Sequence, residues 1–184
     1  MTEVDTVMRQ RGQKITELAT IYHYQLIQRI PIHRELIASY LSIALIFGLF
    51  QGLMYGTTGI LAWMLGILAV YLIHFIIIRL TLIRVDEPDD RRWSWRIRAP
   101  WIGYVPVQMV EHGLLRRLHR HLLWFGLCVI AVIYPWVNEA TMISLISWHF
   151  WTLAPRIVIL RKVRKARRDG VLKFEPTDVS FYHR

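Results

Sequence analysis

The residues most able to do chemistry in this sequence lie where charge is otherwise missing. His74 and His149 stand deep inside long apolar stretches that hold no Asp, Glu, Lys or Arg near them. An ionisable group in such surroundings is a functional candidate in its own right. Two readings follow. The histidines stay neutral and hydrogen-bond across helices to Ser42, Tyr71 or Ser144. Alternatively they supply paired axial ligands to a haem. Counted from the outer ends of their helices, His74 lies about five residues deeper than His149, or roughly 7 Å at 1.5 Å per residue. That offset weighs against ligation, and no cofactor is expected.

Elsewhere the chemistry is weaker. Asp86, Glu87, Asp89 and Asp90 surround Pro88. Carboxylates of this kind suit Mg²⁺, but acidic residues beside a proline also mark a helix start. Glu111, His112, Arg116, His119 and His121 bring imidazoles to a predicted helix over 107–123, with His112, Arg116 and His119 on one face. Their spacing matches no compact ligand signature, so this face reads as polar and basic, near lipid headgroups, and no metal is expected. No Walker loop, HExxH, GxSxG or CxxC motif is present. Cys128 is the single cysteine, which excludes an intramolecular disulfide.

The remaining signal is basic and aromatic. Arg91, Arg92, Trp93, Trp95, Arg96 and Arg98 interleave ahead of Trp101 and Tyr104. Indoles and guanidiniums in alternation suit the headgroup depth of a membrane. The same mixture stacks on single-stranded nucleic acid, but apolar spans on both sides favour lipid, and no nucleic-acid partner is expected. After the last apolar run come Arg161, Lys162, Arg164, Lys165, Arg167 and Arg168. With Arg116 they form the candidate lipid- and phosphate-binding set.

These residues need elements to position them. The chain is 54% hydrophobic yet carries a net charge of +10, with 23 Lys and Arg against 13 Asp and Glu. Apolar spans alternating with basic loops reconcile the two. Residues 36–78 contain no charge, which suits two helices of ~20 residues, broken at Gly56-Thr57-Thr58-Gly59 into 36–55 and 60–80. Residues 122–160 suit a second pair, 122–137 and 140–160, turning at Asn138-Glu139. The third span is short, so a re-entrant hairpin is its alternative.

The expected fold is therefore all-α: a polytopic membrane protein with four transmembrane helices in two hairpins. Its segments are 1–35 (an N-terminal amphipathic segment), 36–83 (the first hairpin), 84–121 (the basic and aromatic loop), 122–160 (the second hairpin) and 161–184 (the basic tail). All Lys and Arg fall in the N-terminal segment, the middle loop with its flanks, or the tail with Arg156 just ahead of it; the two hairpin tips hold none. The positive-inside rule then puts both termini in the cytoplasm, in a membrane of the bacterial cytoplasmic type. Gly48, Gly52 and Gly56 at four-residue spacing, with Ala62 and Gly66 on the next span, form small-residue ridges for close helix packing. They serve the hairpin itself or, alternatively, a homo-oligomer. Ile15, Leu18, Ala19, Tyr22 and Leu26 make an apolar stripe ending at Pro31, expected as an amphipathic helix. No cleavable signal peptide is expected at the start.

Three functions are compatible with this reading. The leading one is a non-enzymatic membrane subunit or scaffold that binds anionic lipid and a partner protein, membrane or cytoplasmic, through its basic face. The others are a component of a transporter or permease, and a membrane enzyme acting on a phosphate-bearing lipid.

Overall fold

The computed structural model describes residues 25–85, 93–97, 99–163, 170–175 and 177–183. The described chain runs β1 (Gln25–Pro31), α1 (Arg34–Arg84), β2 (Trp93–Arg96), β3 (Gly103–Pro106), β4 (Val110–Glu111), α2 (His112–Ile133), a 3-10 turn (Tyr134–Trp136), α3 (Glu139–Val163), β5 (Gly170–Phe174) and β6 (Asp178–His183).

The helical stretch α1 doubles back on itself. Gly56 breaks it with φ +59° and ψ −139°, a conformation a glycine adopts without the clash a Cβ brings. A Cβ placed at Gly48 would lie 3.0 Å from Trp63. In an unbroken helix those residues would stand about 22 Å apart. Residues 34–55 and 57–84 are therefore two arms lying side by side. Gly48 faces Trp63 and Gly52 faces Ile60, while Gly66 meets Ser144 and Trp148 of α3. Ala62 is buried, and no side chain lies within 4 Å of where a Cβ would sit on Gly56. Gly48, Gly52 and Gly66 thus each face a neighbouring segment of the same chain, while Gly56 makes the turn.

Three helical stretches are long and apolar enough to cross a membrane: Arg34–Arg84, His112–Trp136 and Glu139–Val163. Their outward faces are greasy. Leu49, Leu53, Leu65, Leu68, Trp124 and Trp136 are all exposed. Their inward faces carry Gln51, His74, Ser144, His149, Thr152 and Arg156, all buried. That is the reverse of a soluble bundle, where charged and amide side chains sit outside.

The fold is not all-α. Strands β1, β6, β5 and β4 form an antiparallel sheet in that order, and β2 pairs with β3. The expected amphipathic helix falls mainly on residues outside those described, but its end does not hold: Gln25, Leu26 and Gln28 belong to strand β1. The end of the basic tail packs on its own chain. Val171 and Leu172 pair with Tyr182 and Phe181 across a turn closed by Glu175 N–H donating to the Asp178 carbonyl at 2.9 Å. The helix predicted over 107–123 begins only at His112, because Val110 and Glu111 pair with Leu172 and Val171. In each case pairing with a distant strand wins over local helical spacing. Beneath the sheet, Ile30, Leu172, Val179 and Phe181 join Leu114, Leu118, Ile78 and Leu153 in one core. The sheet and the adjoining helix ends are thus a single packed unit.

Candidate functional site

The two histidines meet. His74 Nε2 and His149 Nδ1 are 3.0 Å apart, with ring centroids at 5.1 Å and planes at 75°. One nitrogen must carry the proton and the other the lone pair, so at least one ring is neutral. An offset of five residues does not keep the imidazoles apart. The geometry is that of a hydrogen bond: two nitrogens on opposite sides of one metal ion, each about 2.0–2.1 Å from it, would stand near 4 Å apart. Among the described residues no group of three or more His, Cys, Asp or Glu is placed to hold a metal.

His149 reaches this position because α2 carries Gly126. A Cβ there would collide with the His149 ring. The partners expected for the histidines are differently engaged. Ser144 accepts from Gln51 Nε2 at 3.0 Å, and the same amide donates to the Ala140 carbonyl at 3.2 Å. Tyr71 keeps a buried hydroxyl with no hydrogen-bond partner among the described residues.

Around this pair lies a larger polar cluster. His119 of α2 and Arg156 of α3 are electrostatic neighbours of His74, and His119 is also a neighbour of His149. Arg156 in turn neighbours Tyr40 and Tyr71, one from each arm of α1. His119 is 9% exposed, and both its ring nitrogens are buried without a partner among the described residues. Arg156 is also 9% exposed and donates from Nη2 to the Tyr104 carbonyl at 3.1 Å. The cluster therefore holds one cation, three imidazoles and two phenols, drawn from all three helices.

Sequence reasoning placed Arg156 with the topogenic tail, yet it turns inward, while Arg161 and Lys162 are exposed. Gln51 has a signal in the sequence: it is the only amide in the charge-free run 36–78. Gly126 carried no local signal; only its contact with His149 gives it a role.

The expected lipid-facing set divides. Arg91, Arg92, Arg98, Arg164, Lys165, Arg167 and Arg168, like the acidic residues 86–90, lie outside the described residues. Arg116, Arg161 and Lys162 are exposed. Trp95 is 53% exposed. Trp93 is 5% exposed and joins the core, stacked on Tyr104 with centroids 5.9 Å apart. Arg96 donates to the Phe174 carbonyl at 3.4 Å, and Trp101 Nε1 donates to that of Glu175 at 3.2 Å. These two bonds tie the 93–106 region to the sheet, so part of the aromatic and basic segment is structural. His112 and His119 are buried while Arg116 is exposed, so the face expected to be polar is split between core and surface.

At the sheet edge, exposed Arg29 donates from Nε to Asp178 at 2.6 Å. The guanidinium holds the Asp178 carboxyl below the usual carboxylate range, helped by the Thr177 and Ser180 hydroxyls and opposed by burial. Compared with known families, curated proteins and solved structures, the chain matches none, so its site is read from its own chemistry.

Proposed function

We propose that this chain is a multi-pass integral membrane protein that acts as a non-enzymatic subunit or scaffold, binding anionic lipid and a partner protein through its basic face. Four transmembrane segments in two hairpins and cytoplasmic termini complete the reading. One observation carries it: the exposed basic residues gather where helices meet the sheet, away from the hairpin tips. Arg34 opens α1 and Arg84 closes it; Arg116, Arg117 and Arg120 occupy the first turns of α2; Arg161 and Lys162 close α3. Basic residues so placed attract anionic headgroups at about 1 kcal/mol each.

Copurification from mild detergent tests the scaffold. A stoichiometric partner is expected. A monodisperse chain with no partner and no self-association would count heavily against it. For the topology, a reporter fused after Arg184 should be active only inside the cell; activity confined to the outside overturns it.

A second reading, a transporter component, draws on the buried cluster of His74, His119, His149 and Arg156. Proton or solute flux in liposomes that His74→Ala abolishes would promote it.

A further inference from the structure

Between the first arm of α1 and α3 runs an apolar groove with two lobes. The outer lobe encloses about 440 Å³ and is walled by Phe47, Trp63, Trp148 and Trp151. The inner lobe encloses about 260 Å³ and runs beneath Ile30 at the end of β1 and Trp101. Tyr40, Ile43 and Ala154 line both lobes, so the two adjoin. Tyr40 stacks on Trp151 at 3.9 Å and 12°, and Trp151 Nε1 donates to the Tyr40 carbonyl at 2.9 Å, which fixes the floor at the junction. Among the described residues the groove is charged at one place: Lys162, in the last turn of α3, lines the inner lobe.

We infer that this groove holds one anionic phospholipid, with an acyl chain along the two lobes and the headgroup phosphate at Lys162. The inference rests on the anionic-lipid part of the proposed function and gives it a site. Charge and shape argue for this occupant. An apolar trough with a single ammonium at its basic end is complementary to a chain that carries one anionic head. Together the lobes fall within the ~300–1,000 Å³ usual for ligand sites. Ile30 and Pro31 of β1, with Trp101, give the headgroup end a protein wall, which a freely exchanging lipid belt would not require. Lys162 is itself exposed, so its ammonium is free to meet a phosphate at the surface.

Native mass spectrometry decides the matter. The full chain in detergent is incubated with equal amounts of phosphatidylglycerol and phosphatidylcholine. One retained lipid is expected, with phosphatidylglycerol favoured about fivefold, the factor one basic residue near a surface supplies. Lys162→Gln should bring that ratio close to one, and Lys162→Arg should preserve it. Ala154→Trp and, independently, Ile43→Trp block the junction at exposed positions and should remove the retained lipid. Phosphatidylglycerol retained undiminished in both blocked variants overturns the groove but leaves lipid binding by the basic face standing. A ratio unchanged in Lys162→Gln overturns the headgroup assignment. A dimer in place of a lipid adduct, lost on Ala154→Trp, gives the groove to a second copy and overturns the inference. No phosphatidylglycerol preference in the unaltered chain overturns both the groove and the anionic-lipid reading, whereas the scaffold role stands or falls separately on copurification.

Discussion

Arg156 of α3 donates from Nη2 to the backbone carbonyl of Tyr104 in β3, 52 residues away, at 3.1 Å. This bond joins the interior of the helices to the small β2–β3 hairpin. On the same side Phe75 of α1 packs edge-on against Tyr104 and tilts against Trp95, at 5.1 and 5.4 Å. A guanidinium drawn out of water thus serves to seat a hairpin.

Arg156→Ala should leave the Tyr104 carbonyl without its donor and cost about 1–3 kcal/mol. Thermal unfolding in detergent checks the loss. If the hairpin loosens, tryptophan emission should also shift to the red as Trp93, now 5% exposed, meets solvent. Arg156→Lys should lose less, since an ammonium keeps one donor.

Gly126→Val should displace the His149 ring and break its bond to His74. Overpacking of this kind costs about 1–3 kcal/mol. The informative measurement is the double variant: with His149→Ala in place, Gly126→Val should cost much less than it does alone. Equal costs in both backgrounds would show that the two residues do not share the space.

Gln51→Leu should destabilise only slightly. Its two donated bonds lie between buried helix faces, where such bonds average ~0.6 and reach ~1.7 kcal/mol. Loss of the amide also removes Oε1, which is buried without a partner among the described residues, and this offsets part of the cost. A double-mutant cycle with Ser144→Ala in a detergent melt should give a non-additive coupling.

The Arg29–Asp178 pair predicts a pH dependence with a definite sign. The folded carboxyl titrates below its unfolded value, ordinarily about 3.9. Its contribution is therefore fully present above that value and is lost as pH falls through the lower, folded one. Melting temperatures followed from neutral pH downward should fall over that window in the unaltered chain. In Asp178→Asn the same segment of the curve should be flatter. Arg29→Gln should raise the carboxyl toward its ordinary range and narrow the window.

Much of the helical part was legible. The charge-free runs, the break at Gly56 and the turn at Asn138 are local signals, and each falls where the structure turns. The strands were harder. Residues 170–174 and 178–183 are rich in Val, Leu, Phe and Tyr on either side of a Pro-Thr pair, a hairpin pattern that the basic run ahead of it masks. Strand β1 gave less: Gln25 to Pro31 fits the end of a helical stripe equally well, and only the β6 partner decides it.

By itself the sequence determined which segments are apolar enough to cross a membrane and where the basic residues collect, because hydropathy and charge sum over neighbours along the chain. The tertiary structure alone decided which polar residues meet. His74 and His149 are 75 positions apart, and Arg29 and Asp178 are 149 apart. The space for the His149 ring is made by a missing Cβ on a third segment, at Gly126. The same holds for Arg156, whose place in the sequence one turn ahead of the basic tail suggests a surface and whose place in the fold is the interior. Burial and hydrogen bonding depend on what packs against a side chain, and no local pattern encodes that.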